Sequence, residues 1–166
     1  MDKSKAEVKD VARYIINYCN DSNIPVSNLK LQKLLYFVQG VSFAAFGEAC
    51  FTSEFEAWSF GPVMPEVYHE FKVFGSNSIP KVETYYDFTD PHNIVKTFDE
   101  SVLDSNTKLL VELVVKMFKN YSSTKLVSMT HAQAPWADVY EPDQKSIKIT
   151  NESIKKYFQN QYGSGN

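Results

Sequence analysis

The sequence predicts an α+β domain that is predominantly α, a compact single domain of about five to seven helices with a small β element. Three observations lead there. Apolar residues recur at helical spacing in the three longest patterned segments. The β-prone runs are short and scattered, at 54–60, 81–88 and 147–149. The chain has 166 residues, of which 43% are hydrophobic and 22% charged, and that is the size and composition of one ordinary folded domain. The domain is expected to fill 1–166, with its core over about 6–160 and a frayed tail, Gly163-Ser164-Gly165-Asn166.

The first helix is read over 5–19, where Val8, Val11, Ala12, Ile15, Ile16 and Cys19 make one stripe. Asn20-Asp21-Ser22-Asn23 followed by Pro25 ends it. Ser27 suits an N-cap for a second helix over 28–46, stopped by Gly47. Leu31, Leu34, Leu35, Val38, Val41 and Ala45, widened by Phe37 and Phe43, bury that helix on more than one side. The run 54–60 reads as a short strand, and Gly61-Pro62 breaks the chain after it. Pro65 fits a first helical position with Glu66 in the first turn, and Gly75 ends that helix. Residues 76–98 read as a loop with one edge strand, kept on the domain by Tyr85, Tyr86, Phe88 and Phe98. A third long helix spans 105–121 on Leu110, Leu113, Val114, Met117, Phe118 and Tyr121. A short helix over 124–131, a turn or helix at Pro135-Trp136, a small strand at 147–149 and a last helix capped by Thr150 complete the chain.

Charge and cysteine usage exclude several functions. The net charge is −3, and Arg13 is the only arginine among 17 basic residues. Arginine is the preferred side chain for phosphate and base recognition, so direct nucleic-acid binding is not expected. The longest uncharged stretch, 34–47, falls short of the roughly 20 apolar residues a membrane span needs. The N-terminus carries no apolar signal core, and Cys19 and Cys50 form no disulfide framework. A soluble cytoplasmic protein is expected. The 12 Phe, 10 Tyr and 2 Trp exceed what a small core needs, so some aromatics are expected on a binding surface.

Motifs for catalysis are weak. Ser-x-x-Lys occurs at Ser27, Ser122 and Ser153, and a helix cap followed by a solvated lysine explains each better than an acyl-enzyme. Ala57-Trp58-Ser59-Phe60-Gly61 imitates a nucleophile elbow, but Pro62 and Pro65 replace the helix that must follow the serine. Glu66 and His69 make one Glu-x-x-His without a second copy, and Val73 stands where a zinc helix would place its second histidine. His131 reads as a histidine at a helix end that caps carbonyls or donates to a neighbour. No catalytic residue, metal or cofactor is assigned. Lys30, Gln32, Lys33 and Gln39 lie on the most apolar helix, and Lys33 is expected to pair with Glu56 across helix and strand. A solvated face with snorkelling lysine stems competes evenly with a binding role there.

Taken together, three blocks resemble the Panacea family, the SocA-like domain once described only as a domain of unknown function. They are 26–40, with Lys30, Gln32, Lys33, Tyr36 and Gln39; 56–68, with Glu56, Trp58, Gly61, Pro62, Pro65, Glu66 and Tyr68; and 129–136, with His131, Pro135 and Trp136. The resemblance implies a non-enzymatic antitoxin that neutralises a cognate toxin protein by direct complex formation. It also implies, for one branch, an adapter that delivers its partner to a cytosolic AAA+ protease. A phage protein binding a host factor is a further alternative, and a homo-oligomer is left open. The motif residues are carried over as partner-binding or scaffold positions. The corner at 58–68 is expected to supply part of an interface, while Tyr36, Trp58 and Trp136 are equally suited to the core. In that second view, partner contacts come from 76–98 or the last helix.

Overall fold

Asn28–Phe46 (α2) is the axis on which every other layer is laid, in a computed structural model that describes residues 5–144 and 146–162. Ser27 caps it by accepting the Lys30 N–H, and Gly47 ends it in the left-handed conformation at φ 72°. Every residue from 30 to 40 is buried, so this helix has no solvent face along its middle.

Val8–Asp21 (α1), Ser105–Phe118 (α4), Ser123–His131 (α5) and Asn151–Tyr162 (α7) pack around α2. Ser122 caps α5 through the Lys125 N–H, and Thr150 caps α7 through the Ser153 N–H. α7 crosses α2 closely at Gly40, where any side chain would collide with the Phe158 ring. Tyr36 meets Phe37 and Phe158 edge to face at 5.4 and 5.5 Å, which makes the centre of the core aromatic. The frayed tail expected at 163–166 lies outside the described residues.

The sheet lies beside α2. Phe55–Trp58 (β1) is central, flanked antiparallel by Gly61–Val63 (β2) and Lys148–Ile149 (β5). The sequence suggests a chain break at Gly61-Pro62, but these residues turn the chain back into β2. Pro62 opposes Ala57, whose N–H donates to Ile147 on the other side, so the missing proline N–H costs no ladder bond on this edge strand. Pro65–Phe71 (α3) follows with Pro65 at its start, and a 3₁₀ turn, Lys72–Phe74, extends it to Gly75.

Residues 76–98 hold two strands where one was expected: Thr84–Tyr86 (β3) pairs antiparallel with Val95–Thr97 (β4). Tyr86 and Phe88 do not pack on the domain as expected; they are largely exposed and stack on each other at 5.9 Å. On α4 the buried stripe is Leu110, Val111, Val114, Val115 and Phe118, and Leu113 and Met117, read as core, face outward. A short turn, Ala134–Ala137 (α6), completes seven α-helices among the described residues. No helix of these residues is long and apolar enough to cross a membrane.

Candidate functional site

One stripe of α2 carries Asn28, Gln32, Tyr36 and Gln39, spaced so that all four project to the same side. Each is a buried polar side chain bonded to a different segment outside α2. Asn28 Nδ2 donates to the Tyr68 carbonyl at 3.0 Å. Gln32 donates to Asn28 at 2.9 Å and accepts the Met64 N–H at 2.8 Å, which fixes the entry to α3. The Tyr36 hydroxyl donates to Gln133 Oε1 at 2.7 Å just before α6, and burial pushes its pKa upward. Gln39 accepts the Cys50 N–H and donates to the Phe51 carbonyl, so its amide closes the loop after α2 as a strand partner would. Unpaired buried groups of this kind cost about 1–3 kcal/mol each, so the chain satisfies them all together.

Lys33 stands beside this stripe with no exposed surface. It does not pair with Glu56 as expected. Its Nζ donates to the Pro62 carbonyl at 2.8 Å, while Glu56 accepts from the Trp58 indole at 2.9 Å and from Lys148 at 3.4 Å. Burial pushes the Lys33 amine down to about 7, which leaves a large neutral share near neutral pH. The lysine stem fills the space above Gly61, where a Cβ would lie 2.9 Å from Lys33 Cε and 2.7 Å from Thr130 Oγ1. Gly61 has φ 100°, a conformation that side chains rarely adopt. Lys30 is also buried rather than solvated; its Nζ reaches the Lys119 carbonyl at 3.3 Å, and desolvation lowers its pKa.

The third block closes on the second from the opposite side. Trp136 Nε1 donates to the Trp58 carbonyl at 2.8 Å. Its ring is sandwiched between His131 at 3.9 Å and Tyr140 at 4.4 Å. His131 lies in the last turn of α5 with its ring stacked on that indole; desolvation lowers its pKa, and its buried Nε2 has no hydrogen-bond partner among the described residues. Trp58 is half-buried, edge to face with Tyr68 at 5.1 Å, and His69 lies beyond them. Pro135 is buried at the start of α6, and Glu66 is exposed in the first turn of α3.

The three sequence blocks are thus one connected polar and aromatic network. Gln32, Lys33, Tyr36 and Gln39 have no surface to offer a partner. Phe60, Glu66 and His69 present surface at its margin. Asn28, Thr130 and Gln133, which complete the network, were not singled out in the sequence; the helical spacing of Asn28 with Gln32 was the available signal. The buried thiols of Cys19 and Cys50 are pushed up to about 11 and about 12 by desolvation, which makes them poor nucleophiles. Among the described residues no group of three or more histidine, cysteine or carboxylate side chains is gathered to hold a metal ion.

The family model of the antitoxin SocA-like Panacea domain matches residues 31–137, which contain nearly all of this network. The chain is also similar to the antitoxin SocA of Caulobacter vibrioides. The two are 32% identical over 136 residues, covering 81% of this chain and 71% of the relative. No solved structure matches.

Proposed function

The chain belongs to the SocA-like Panacea domain family, and on that premise we propose that it is an antitoxin that neutralises a cognate toxin protein by holding it in a direct complex, without catalysis. The observation that supports this most is the likeness to an antitoxin over four-fifths of the chain. The internal use of the motif side chains is consistent with it. Residues that bond one another throughout a buried network hold a scaffold, and a scaffold leaves its outer surfaces to be matched to a particular partner. A specific interface of this kind buries about 800 Å² per partner and is anchored by a few aromatic or arginine side chains. Exposed aromatics are available on this chain at Phe60, Tyr86 and Phe88.

The test is coexpression with the product of an adjacent small reading frame that is toxic alone. Restored growth together with co-purification of the two proteins is the expected result. Growth that stays arrested, or is restored without any complex, overturns the proposal. A partner whose half-life shortens only when this chain is present would instead identify an adapter.

A further inference from the structure

Between α3 with its 3₁₀ extension and β3 runs an open groove of about 880 Å³. Val73, Tyr86 and Phe88 border it, and each exposes two-thirds or more of its surface. We propose that this groove receives an extended, apolar segment of the partner protein bearing a lysine or arginine, added as a strand along the open edge of β3. The inference rests on the protein-binding reading above.

The backbone supplies the first argument. Among the described residues β3 is paired on one side only, with β4. The Phe98 N–H donates to the Glu83 carbonyl and the Asp87 N–H to the Ile94 carbonyl. By the alternation of an antiparallel ladder, Glu83, Tyr85 and Asp87 therefore bond toward β4, while Val82, Thr84 and Tyr86 present their N–H and C=O groups the other way. The first of these three positions is already filled in a telling manner. The Asn17 side-chain amide donates to the Val82 carbonyl at 2.9 Å and accepts the Val82 N–H at 2.7 Å, as the peptide group of a neighbouring strand would. The next two, Thr84 and Tyr86, take no hydrogen bond on that edge from the described residues. Exposed edges of this kind are pairing templates that folded chains normally cover or blunt.

The strand is also anchored to α1. The Arg13 guanidinium lies 3.5 Å from the Tyr85 ring centroid and is itself fixed by Asp10 and Glu70. That contact lowers the ordering cost a partner strand would meet at this edge. Charge then selects the occupant. Lys9 and Lys81 in the groove walls are taken by Glu70 and Asp21. Glu66 and Glu83, on opposite walls, have no ion-pair partner among the described residues, which leaves the groove with unbalanced negative charge. A strand carrying a basic residue complements both the apolar lining and these carboxylates.

The experiment uses the full chain and a defined probe, the acetylated and amidated peptide Lys-Val-Thr-Val-Thr-Val-Lys, with hydrogen exchange read at single amides. At about 1 mM peptide, exchange at Thr84 and Tyr86 should slow roughly tenfold or more, since protection follows occupancy of the bound state. The same peptide N-methylated at alternate residues should give no protection. Thr84→Pro removes an edge N–H that takes no part in the β3–β4 ladder, so the variant should fold and lose both the peptide protection and the rescue of a toxin that the wild type rescues. Unchanged exchange at Thr84 and Tyr86, protection confined to another surface such as Leu109, Leu113 and Met117 on α4, or equal protection by the methylated peptide overturns the inference. Rescue that survives Thr84→Pro overturns it too while leaving the antitoxin reading intact. A wild type that rescues nothing defeats that reading alone, and the exchange result still decides the edge.

Discussion

Lys33 is an ammonium-bearing side chain in a place where an ammonium is costly. Among the described residues its one hydrogen-bond acceptor is the Pro62 carbonyl, and no carboxylate forms an ion pair with it. Burial lowers its pKa in the folded chain from 10.5 to about 7, so between those values the unfolded chain binds the proton and the folded chain does not. Stability conferred through this residue therefore rises with pH across that window, by up to about 1.4 kcal/mol per unit. Cys19 and Cys50 oppose it above about pH 8.5, because burial raises both thiols and only the unfolded chain ionises them there. The difference between wild type and Lys33→Met isolates the lysine. Urea unfolding at several pH values should show wild type gaining on the variant from about pH 7 toward pH 10, and a pH-independent difference would count against the buried amine. Gly61→Ala tests the same corner by shape. It combines φ 100° with contacts to Thr130 and Lys33 that leave no room for a methyl group, and it should cost about 2–4 kcal/mol in the same unfolding measurement.

Between elements, stability depends on how closely α7 can approach α2 and on how the hairpin is tied to both. Gly40 has no Cβ where the Phe158 ring lies, so Gly40→Ala should destabilise by about 1–3 kcal/mol despite the better helix propensity of alanine. Calorimetry showing a raised melting temperature would contradict that packing. Trp136→Phe keeps most of the aromatic stack but leaves the Trp58 carbonyl without its indole donor, and a loss of about 1–3 kcal/mol is expected. The bounds of α2 were legible because Ser27 and Gly47 act within a few residues of themselves, and the apolar spacing of 31–45 needs no tertiary knowledge. β2 was not legible, since Gly61-Pro62 looks like a terminator unless it is known that Ala57 bonds away from Pro62. β4 was missed because Val95-Lys96-Thr97 is too short to show alternation. The stripe of α4 was legible at Leu110, Val114 and Phe118 but widened on the wrong flank: Leu113 and Met117 fit a period as well as Val111 and Val115 do, and only the position of α1 and α2 decides between them. In the site, the choice of residues was legible but their exposure was not. Polar side chains on an apolar helix read equally well as a wet face or as a buried staple until the loops they bond are in place.

At the scale of the molecule, the three motif blocks, distant in sequence, converge on one network that is turned inward. The interior polar groups fix a scaffold, and apolar groups at Phe60, along β3 and on α4 are left exposed. Substituting an interior network residue should lower stability and partner binding together, whereas substituting an exposed contact residue should lower binding alone. Parallel measurements of melting temperature and complex formation separate the two.

The most direct measurement of the central claim mixes the purified chain with the purified product of an adjacent small reading frame that proves toxic alone, follows the mixture by light scattering on a sizing column, and weighs both proteins by intact mass spectrometry. A stable complex of defined stoichiometry with both masses unchanged is the predicted result. Loss of toxicity with no complex on the column, or with a covalently altered partner, would contradict it.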